Sequence, residues 1–320
     1  MDVTIVILSC DRPELFSLAL QSALGQTHPA AVLVSDDSAH PDVRGIVGQC
    51  RGDVSYLRGP RAGQLANLLM AFAHVETRWA IVLHDDDLLS STCVADLLGA
   101  VTAQPERPDL VIADNACIDI VGNRLGEFGA ARARRRAAFR TGLNHLSFDE
   151  RCQAFLVQGA VSPFLGALLP SAVVRQWRPH PQVGSVLDLS LCEHLVRNVD
   201  AVSYVPRDLA SYRIHDGSVG STFADLEPLL FIIDAMLDDG SLRSIWPALV
   251  ERRADAIARQ ARVWTAAGKW RQARDLLLQR RPELPLSQLG PAALLTLPVL
   301  RSMYGRRIRR ANPRFAARTH

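Results

Sequence analysis

Four short apolar runs, each followed by polar residues, restrict the fold of this chain more than any other feature. The runs are rich in Val, Ile and Leu and cover residues 3–8, 31–35, 79–83 and 110–113. Uninterrupted apolar runs of this length are typical of parallel strands that are buried on both faces. Helical periodicity between the runs predicts crossover helices. The sequence therefore predicts a Rossmann-like α/β domain with a mostly parallel sheet and helices on both of its faces.

Weaker patterns complete this part of the chain. A short strand is predicted at 54–57, and helices are predicted at 13–25, 64–75 and 90–101. The first of these helices begins with a proline, a residue favoured in the first turn, and Asp11 is predicted to cap it.

Later in the chain the patterns are shorter. Strands are predicted at 164–169, 202–205 and 209–213, and a helix is predicted at 187–196. The arginine-rich segment 130–140 is predicted to be a mobile loop or an exposed helix.

The character of the sequence changes near residue 225, where helical periodicity becomes continuous. Residues 254–280 predict two antiparallel helices that turn at Gly268. The sequence thus predicts two domains, an α/β domain over 1–222 and a helical C-terminal region over 223–320.

The bulk composition favours a folded enzyme-sized protein and excludes several classes. Of the 320 residues, 48% are hydrophobic and 22% are charged, a balance that argues against disorder. The six cysteines are scattered singly, which predicts reduced thiols rather than a disulfide scaffold or a zinc site. The N-terminus has no signal-peptide pattern, and no apolar run reaches the length of a membrane span. We therefore expect a cytoplasmic protein.

Polar clusters stand at the ends of three predicted strands. They are Ser9-Cys10-Asp11, Asp36-Asp37 and Asp85-Asp86-Asp87. Ligands of open α/β sheets bind beyond the carboxyl ends of the strands. We therefore expect all three clusters to face one crevice.

The acidic run at 85–87 is the strongest candidate for chemistry. Three adjacent carboxylates repel one another unless a cation lies among them, and carboxylate oxygens suit Mg²⁺ or Mn²⁺. A solvated acidic turn is the alternative. The preceding His84 also allows a metal phosphohydrolase, but the remaining histidines do not offer the further ligands at suitable spacings.

The pair Asp36-Asp37 allows contact with a nucleoside, because an Asp at a strand end commonly binds a ribose hydroxyl or a base N–H. A turn or a helix cap is the alternative for this pair. No glycine-rich dinucleotide motif and no Walker loop follows the first strand, which disfavours both of those classes.

Three blocks of the sequence, in this order and spacing, resemble family 2 glycosyltransferases of the GT-A fold. The blocks are 3–15 with 19–29, then Val34-Ser35-Asp36-Asp37-Ser38, then the strand and Asp-x-Asp motif at 81–88. The resemblance covers about residues 1–220. Cys10-Asp11 replaces the Tyr-Asn usual in the family, and His84 stands where the family's four-residue metal run usually begins with an acid.

The resemblance implies roles for individual residues. Asp86 is the expected metal ligand, with Asp87 as a supporting carboxylate and Asp85 as a neighbour of the ribose or the metal. The residues expected to contact the donor nucleotide are Ser9, Cys10, Asp11, Asp37 and, beside the diphosphate, Asn67.

Two further residues take roles from the resemblance. Asp188 occupies the place of the general base that removes the proton from the acceptor hydroxyl, and an N-cap is its alternative. His215 lies in the family's closing block, where a histidine approaches the metal or the diphosphate in some members; a structural histidine is its alternative. The Gly- and Ser-rich loop 216–222 is expected to order over the donor.

The C-terminus joins an apolar stretch, 292–300, to seven arginines in the last twenty residues, Arg301, Arg306, Arg307, Arg309, Arg310, Arg314 and Arg318. This combination suits peripheral contact with an anionic membrane. A solvated helix face and a partner-binding tail are equally open. Only two aromatic residues, Tyr304 and Phe315, lie among the arginines, so nucleic acid is not an expected partner.

Together these observations predict a metal-dependent, inverting glycosyltransferase that uses Mn²⁺ or Mg²⁺. Its donor would be a UDP- or dTDP-sugar, and its acceptor a hydroxyl of a glycan, a glycolipid or a small molecule. A non-catalytic nucleotide-sugar-binding scaffold is the main alternative. A nucleotidyltransferase is a further one, disfavoured by the absence of a glycine- and basic-rich phosphate loop after the first strand.

Overall fold

A computed structural model of the chain describes residues 1–50, 52–126, 136, 139–161, 164–215 and 226–280. The chain divides into two compact units, Met1–Thr222 and Phe223–His320. The expected ordering loop at 216–222, the apolar stretch at 292–300 and the seven C-terminal arginines lie outside the described residues.

The first half of the sheet is parallel, as the apolar runs predict. Its strands are β1 (Val3–Ser9), β2 (Ala31–Asp36), β3 (Val54–Arg58) and β4 (Trp79–His84), in the spatial order β3-β2-β1-β4. Every residue of β1 is buried. A strand in the middle of such a sheet is covered on both faces, which explains its uninterrupted apolar sequence.

Four helices accompany these strands: α1 (Pro13–Leu24), α2 (Asp42–Gln49), α3 (Gln64–Ala73) and α4 (Cys93–Thr102). The sequence predicted all of them except α2. That helix contains Gly45 and Gly48, and glycine disfavours helices, so its local signal is weak. Tertiary packing supplies the missing stability, because Val43 is buried in the main core and Ile46 and Val47 pack against it.

The predicted cap of α1 is wrong. The N-cap residue is Arg12, without a side-chain capping bond, and Asp11 precedes the helix at φ +54°. Asp11 instead joins the turn to the loop after β2. Its backbone N–H donates to Ser38 Oγ at 2.9 Å, and its Oδ1 accepts from the Ala39 N–H at 2.7 Å.

The second half of the sheet is mixed, whereas all pairs among β1–β4 are parallel. The remaining strands are β5 (Leu88–Leu89), β6 (Leu110–Ile118), β7 (Gly142–His145), β8 (Ala167–Pro170) and β9 (Ala201–Arg213). The sheet continues from β4 through β8, β6 and β9 to β5, and β7 pairs with β9. Of these contacts only β6 with β9 is parallel.

Strand β9 is continuous, although its sequence predicted two strands. Its exposed middle, around Pro206, breaks the apolar pattern. The pairing with β6 shifts register between Ala113 and Asn115, opposite the stretch from Val205 to Ala210. This irregularity accounts for the apparent gap.

The arginine-rich segment 130–140 is described only in part, and Arg136 within it is not exposed. Its side chain is 3% exposed, and Nη1 lies 3.4 Å from Asp114 Oδ1 on β6. Tyr204 on β9 donates its hydroxyl to Asp114 Oδ2 at 2.8 Å. The prediction of an exposed segment is therefore wrong for Arg136, which is paired with a carboxylate that local sequence cannot identify.

Short helices follow in the first unit: α5 (Phe148–Arg151) continued by a π-helical turn (Cys152–Val157), α6 (Ser171–Val174), a 3₁₀ helix (Pro181–Val186) and α7 (Leu187–Val196). The second unit contains α8 (Leu226–Asp238), a 3₁₀ helix (Gly240–Ile245), α9 (Trp246–Ala266) and α10 (Trp270–Gln279). As predicted, the turn between α9 and α10 contains Gly268, at φ +77°.

The core of the second unit consists of side chains from α8, α9 and α10, among them Leu230, Ile257, Ala273 and Leu277. In the portion of the chain that the structure describes, no helix is both long enough and apolar enough to span a membrane.

Helix α1 provides a test of the core. Phe16 is fully buried in the main cluster, whereas Leu18 on the same helix is 45% exposed. We expect Phe16→Ala to lower the free energy of unfolding of this unit by about 3–5 kcal/mol, because the ring leaves a cavity. Leu18→Ala is the matched control and should change it by about 0.5 kcal/mol or less. Urea unfolding measures both, and equal effects would contradict this assignment of the core.

Candidate active site at the carboxyl ends of the parallel strands

The three polar clusters lie at one edge of the sheet, as expected from the strand order. Ser9 is in register with Asp36 on β2, and Leu8 is in register with His84 on β4. Backbone bonds continue beyond the strands. The Asp37 N–H donates to Ser9 O at 2.8 Å, and the Asp85 N–H donates to Leu8 O at 3.0 Å. The end of β1 therefore positions both acidic clusters.

Asp85 ties the acidic turn to the start of α1. It is 1% exposed, and its Oδ2 accepts from the Cys10 N–H at 2.7 Å and from Ser9 Oγ at 3.4 Å. Its Oδ1 lies 3.2 Å from Arg12 Nη2. Burial raises the pKa of Asp85 to about 6, against the opposing effects of Arg12 and the Cys10 N–H.

Asp86 is the member of the run that meets a guanidinium and an imidazole at a single oxygen. Its Oδ2 is hydrogen-bonded to Arg12 Nη1 and lies 3.1 Å from His215 Nε2. The backbone carbonyl of Asp86 accepts from Arg213 Nε at 2.7 Å. With 9% of its surface exposed, Asp86 is the most accessible residue of the run.

Asp87 faces inward and connects the turn to β9. It is 1% exposed, and its Oδ1 accepts from the Arg213 N–H at 2.8 Å. Its Oδ2 lies 3.7 Å from His84 Nδ1. Burial raises the pKa of Asp87, and the contacts with His84 and the Arg213 N–H oppose that rise.

His84 is paired with Asp87, and its pKa is raised. Burial lowers the pKa of the imidazole, but the bond to Asp87 and the charges of Asp87, Asp86 and Asp188 outweigh it and raise the pKa to about 9. Its Nε2 lies 3.0 Å from Gln64 Nε2 as placed. A protonated ring donates at that nitrogen, so the Gln64 amide then presents its oxygen.

The two residues of the Asp36-Asp37 pair have different surroundings. Asp36 is fully buried; its Oδ2 accepts from Tyr56 Oη at 2.7 Å and from Arg58 Nη1 at 3.1 Å, and its Oδ1 accepts from the Ser38 N–H. Asp37 lies past the strand, half-buried, and its two oxygens accept from the backbone N–H groups of Arg61 and Gly63. Asp36 therefore holds the strand end together, and Asp37 orders the loop after β3 at the crevice.

Asn67 is close to this loop, but its side chain is occupied. It is 2% exposed; its Oδ1 accepts from Ser35 Oγ at 2.6 Å, and its Nδ2 donates to Ser35 O at 3.0 Å. A Cβ atom on Gly59 would lie 2.8 Å from Asn67 Oδ1, so the loop passes closely over it. In this arrangement Asn67 fixes α3 to β2, and a contact with the donor would require it to leave Ser35.

The other predicted donor contacts lie at the exposed rim of the crevice. Cys10 and Asp11 are exposed, whereas Ser9 is buried and directs its hydroxyl to Asp85. Burial raises the pKa of the Cys10 thiol, and the neighbouring carboxylates of Asp11, Asp37 and Asp85 raise it further. The thiol is therefore a neutral group beside the acidic turn.

The predicted base, Asp188, comes to the same edge from the first turn of α7. The N-cap of that helix is Val186, so the N-cap alternative for Asp188 is wrong. Asp188 is half-buried, and its charge contributes to the raised pKa of His84. The structure thus brings Asp188 into electrostatic contact with the acidic turn.

Three residues of the site were not predicted: Arg12, Arg213 and Gln64. Arg213 is 2% exposed and also donates from Nη1 to the carbonyl oxygens of Asp119 and Ile120, at 3.1 and 2.8 Å. Arg12 directly follows Asp11, and Arg213 is two residues before His215, but the targets of the two arginines lie 74 and 127 residues away. Local patterns carry no signal for such pairs.

The donor chemistry of the acidic turn fits a divalent cation, although the ligands are not drawn together. Within the parts of the chain that the structure describes, no three His, Cys, Asp or Glu side chains are grouped closely enough to hold a metal ion. Two buried oxygens, Asp85 Oδ1 and Asp87 Oδ2, accept no hydrogen bond from the described residues. Together with Asp86 and His215 they offer the carboxylate and imidazole ligands that suit Mn²⁺.

The different roles of Asp36 and Asp37 can be tested by comparing the free energies of unfolding of two variants. Asp36→Asn leaves three donors around a neutral amide, and we expect the free energy of unfolding to fall by about 3 kcal/mol. Asp37→Asn is the matched control; it keeps one acceptor at a half-exposed position and should cost about 1 kcal/mol or less. Urea unfolding compares the two, and a larger loss for Asp37→Asn would contradict the assignment.

Comparison with known proteins supports the identity that this geometry suggests. Residues 4–156 match the sequence profile described as Glycosyl transferase family 2. No curated protein sequence matches the chain at a significant level.

Solved structures with the same fold include Staphylococcus aureus TarS (residues 1–349) bound to UDP-GlcNAc, with a TM-score of 0.59, 14% identity, and coverage of 98% of this chain and 90% of that one. The UDP complex of the same TarS fragment gives a TM-score of 0.53, 14% identity, and coverage of 81% and 71%. The mannosyltransferase PcManGT of Pyrobaculum calidifontis, with GDP-Man and Mn²⁺, has a TM-score of 0.55 and 12% identity. The match covers 99% of this chain and 86% of that one.

Both the strand-end acidic turn and the profile match lie in the α/β unit, and the solved structures share its architecture. Residues 4–156 therefore match the family 2 glycosyltransferase profile, and the chain is a glycosyltransferase of the GT-A fold followed by a helical C-terminal region.

Proposed function

We propose that this enzyme transfers a sugar, with inversion and with the help of a divalent metal, from a nucleoside diphosphate donor to a hydroxyl acceptor. The observation that carries the proposal is the meeting of the acidic turn with Asp188 at one sheet edge, where the charges of Asp86, Asp87 and Asp188 all act on His84. Inverting transfer needs a base that takes the proton of the acceptor hydroxyl, and a divalent metal assists the departure of the diphosphate.

The donor would lie across the end of β1. Asp37 orders the loop that contains Arg61 and Gly63, and it presents a carboxylate to the base or the ribose. Cys10 and Asp11 form the exposed rim above the buried Asp85. Related structures hold UDP, UDP-GlcNAc and GDP-Man, which supports a nucleoside diphosphate sugar as the donor class. We propose a UDP- or dTDP-sugar.

Asp86 and His215 would hold the metal, with Asp87 and Asp85 as neighbouring carboxylates. Their polar atoms already converge, since Asp86 Oδ2 and His215 Nε2 are 3.1 Å apart. The Mn²⁺ in the mannosyltransferase complex supports this choice of cofactor, and Mg²⁺ accepts the same oxygen ligands. When bound, the metal neutralises the charge that develops on the departing diphosphate.

Asp188 would take the proton of the acceptor hydroxyl. It lies in the first turn of α7, where the helix dipole favours the ionised carboxylate that a base must be at the start of the reaction. Arg213 and His84 would hold the turn in place while the acceptor approaches. A glycan, a glycolipid or a small molecule would supply the hydroxyl. Residues 1–222 would contain the whole reaction centre, and 223–320 would serve the acceptor or an anionic membrane surface.

Metal-linked donor binding is the first test. We expect UDP with Mn²⁺ to raise the melting temperature of the protein, because a ligand held at 100 times its Kd stabilises by about 2.7 kcal/mol. Asp86→Asn should lose this shift. Asp96→Asn, which alters the half-buried partner of the exposed Arg207, is the control and should keep it. A shift that Asp86→Asn retains in full would remove Asp86 from the metal site.

Turnover separates an enzyme from a nucleotide-sugar-binding scaffold. We expect Asp188→Asn to keep the melting shift with donor and Mn²⁺ while kcat falls by about 10²–10⁴, the typical contribution of a general base. Glu193→Gln on the same helix, which alters an exposed pair with Arg197, should leave kcat unchanged. Donor hydrolysis or transfer assays measure both. Unchanged kcat in Asp188→Asn would exclude it as the base, and no turnover by the unmodified enzyme with any donor would favour the scaffold.

A further inference from the structure

Arg12 occupies the carboxylates that the proposed function gives to the metal. Its guanidinium spans two residues of the acidic turn, with Nη2 3.2 Å from Asp85 Oδ1 and Nη1 hydrogen-bonded to Asp86 Oδ2. The side chain of Arg12 is 28% exposed, whereas those of the two carboxylates are 1% and 11% exposed. A fixed cation therefore already neutralises this part of the turn.

The contact leaves little room for a second cation. Asp86 Oδ2 is approached by both Arg12 Nη1 and His215 Nε2, and a carboxylate oxygen has about two lone-pair directions to offer. A metal ion bound to that oxygen would also lie next to the guanidinium. Because the carboxylates are buried, solvent screens the repulsion between the two cations weakly.

We propose that Arg12 is a built-in counter-ion that competes with the divalent metal for Asp85 and Asp86 and moves to the diphosphate of the donor when the metal binds. The guanidinium fork matches phosphate oxygens as well as it matches carboxylates. Arg12 follows Cys10 and Asp11 in the exposed turn after β1, so the donor diphosphate would lie within its reach. The inference rests on the proposed function for the identity of the ligands.

A consequence of this arrangement is that metal and nucleotide bind cooperatively. The metal alone must displace Arg12 from two carboxylates without offering it a new partner. The nucleotide supplies that partner, so each ligand lowers the cost of binding the other by the same factor. Arg12 is thus a positioning residue that makes the acidic turn accept metal mainly together with a diphosphate.

Direct measurement of Mn²⁺ binding without nucleotide tests the competition. We expect Arg12→Gln to bind Mn²⁺ at least about tenfold more tightly than the unmodified protein, because one fixed positive charge has left the turn. Free Mn²⁺ followed by electron paramagnetic resonance gives the Kd independently of turnover. Arg12→Lys keeps the charge but cannot bridge both carboxylates, so its Kd should lie between the two.

Arg207→Gln is the matched control. It removes the same charge from an ion pair with Asp96, in which the Arg207 side chain is 59% exposed. Its Kd for Mn²⁺ should stay within about twofold of the unmodified protein, since screened surface charges act weakly at a distance.

A second titration in saturating UDP tests the coupling. UDP should tighten Mn²⁺ binding in every variant, because its phosphates are ligands themselves. The tightening should be at least about fivefold smaller in Arg12→Gln than in the unmodified protein, since no guanidinium needs a new partner there.

Equal or weaker Mn²⁺ binding by Arg12→Gln would overturn the competition and leave the metal site in place. An unchanged coupling to UDP would overturn the movement to the diphosphate. If no variant binds Mn²⁺ with or without UDP, both this inference and the metal dependence of the proposed function fail, whereas donor binding without Mn²⁺ would preserve the rest of that function.

Discussion

The neutralisation of three adjacent, buried carboxylates is the constraint on which the rest of the site depends. Two like charges about 4 Å apart repel by about 4 kcal/mol at an effective dielectric constant of 20, and burial adds a desolvation cost for each. Local backbone N–H groups alone do not offset terms of this size. Arg12 and His84 bring positive charge to the run, at Asp85, Asp86 and Asp87, and the His215 imidazole shares Asp86 Oδ2 with Arg12.

These partners come from elements that are distant in sequence, so the turn fixes the relative positions of β1, β4 and β9. The Cys10 N–H binds Asp85 and the Arg213 N–H binds Asp87. Immediately after the turn, the two-residue strand β5 pairs with β9 through Leu88 and Ser211. That short strand is too brief to form alone. The contact of Asp87 with the Arg213 N–H lies directly beside it and helps to keep the turn close to β9.

The sequence was sufficient to predict the strands and helices that depend on the composition of several consecutive residues. The buried parallel strands and α1, α3, α4 and α7 follow from continuous or periodic apolar patterns, and their meeting at one edge follows from the rules of parallel sheets. The sequence was insufficient where contacts with residues distant in the chain determine the structure. Examples are the α2 helix with its two glycines, the burial of Arg136 against Asp114, and the pairing of Arg12 with Asp86. Asp11 had a good local reason to cap α1, and a bond to Ser38 outweighed it.

His84 shows how one substitution changes the charge balance of such a site. Where the family run usually begins with an acid, this chain has an imidazole whose pKa is raised to about 9 by Asp87, Asp86 and Asp188 against the effect of burial. The imidazole and the guanidinium of Arg12 thus place two basic groups beside three carboxylates, two of which, Asp85 and Asp87, have pKa values raised by burial. The departure at His84 and the ion pair of Arg12 are therefore two parts of the same electrostatic solution.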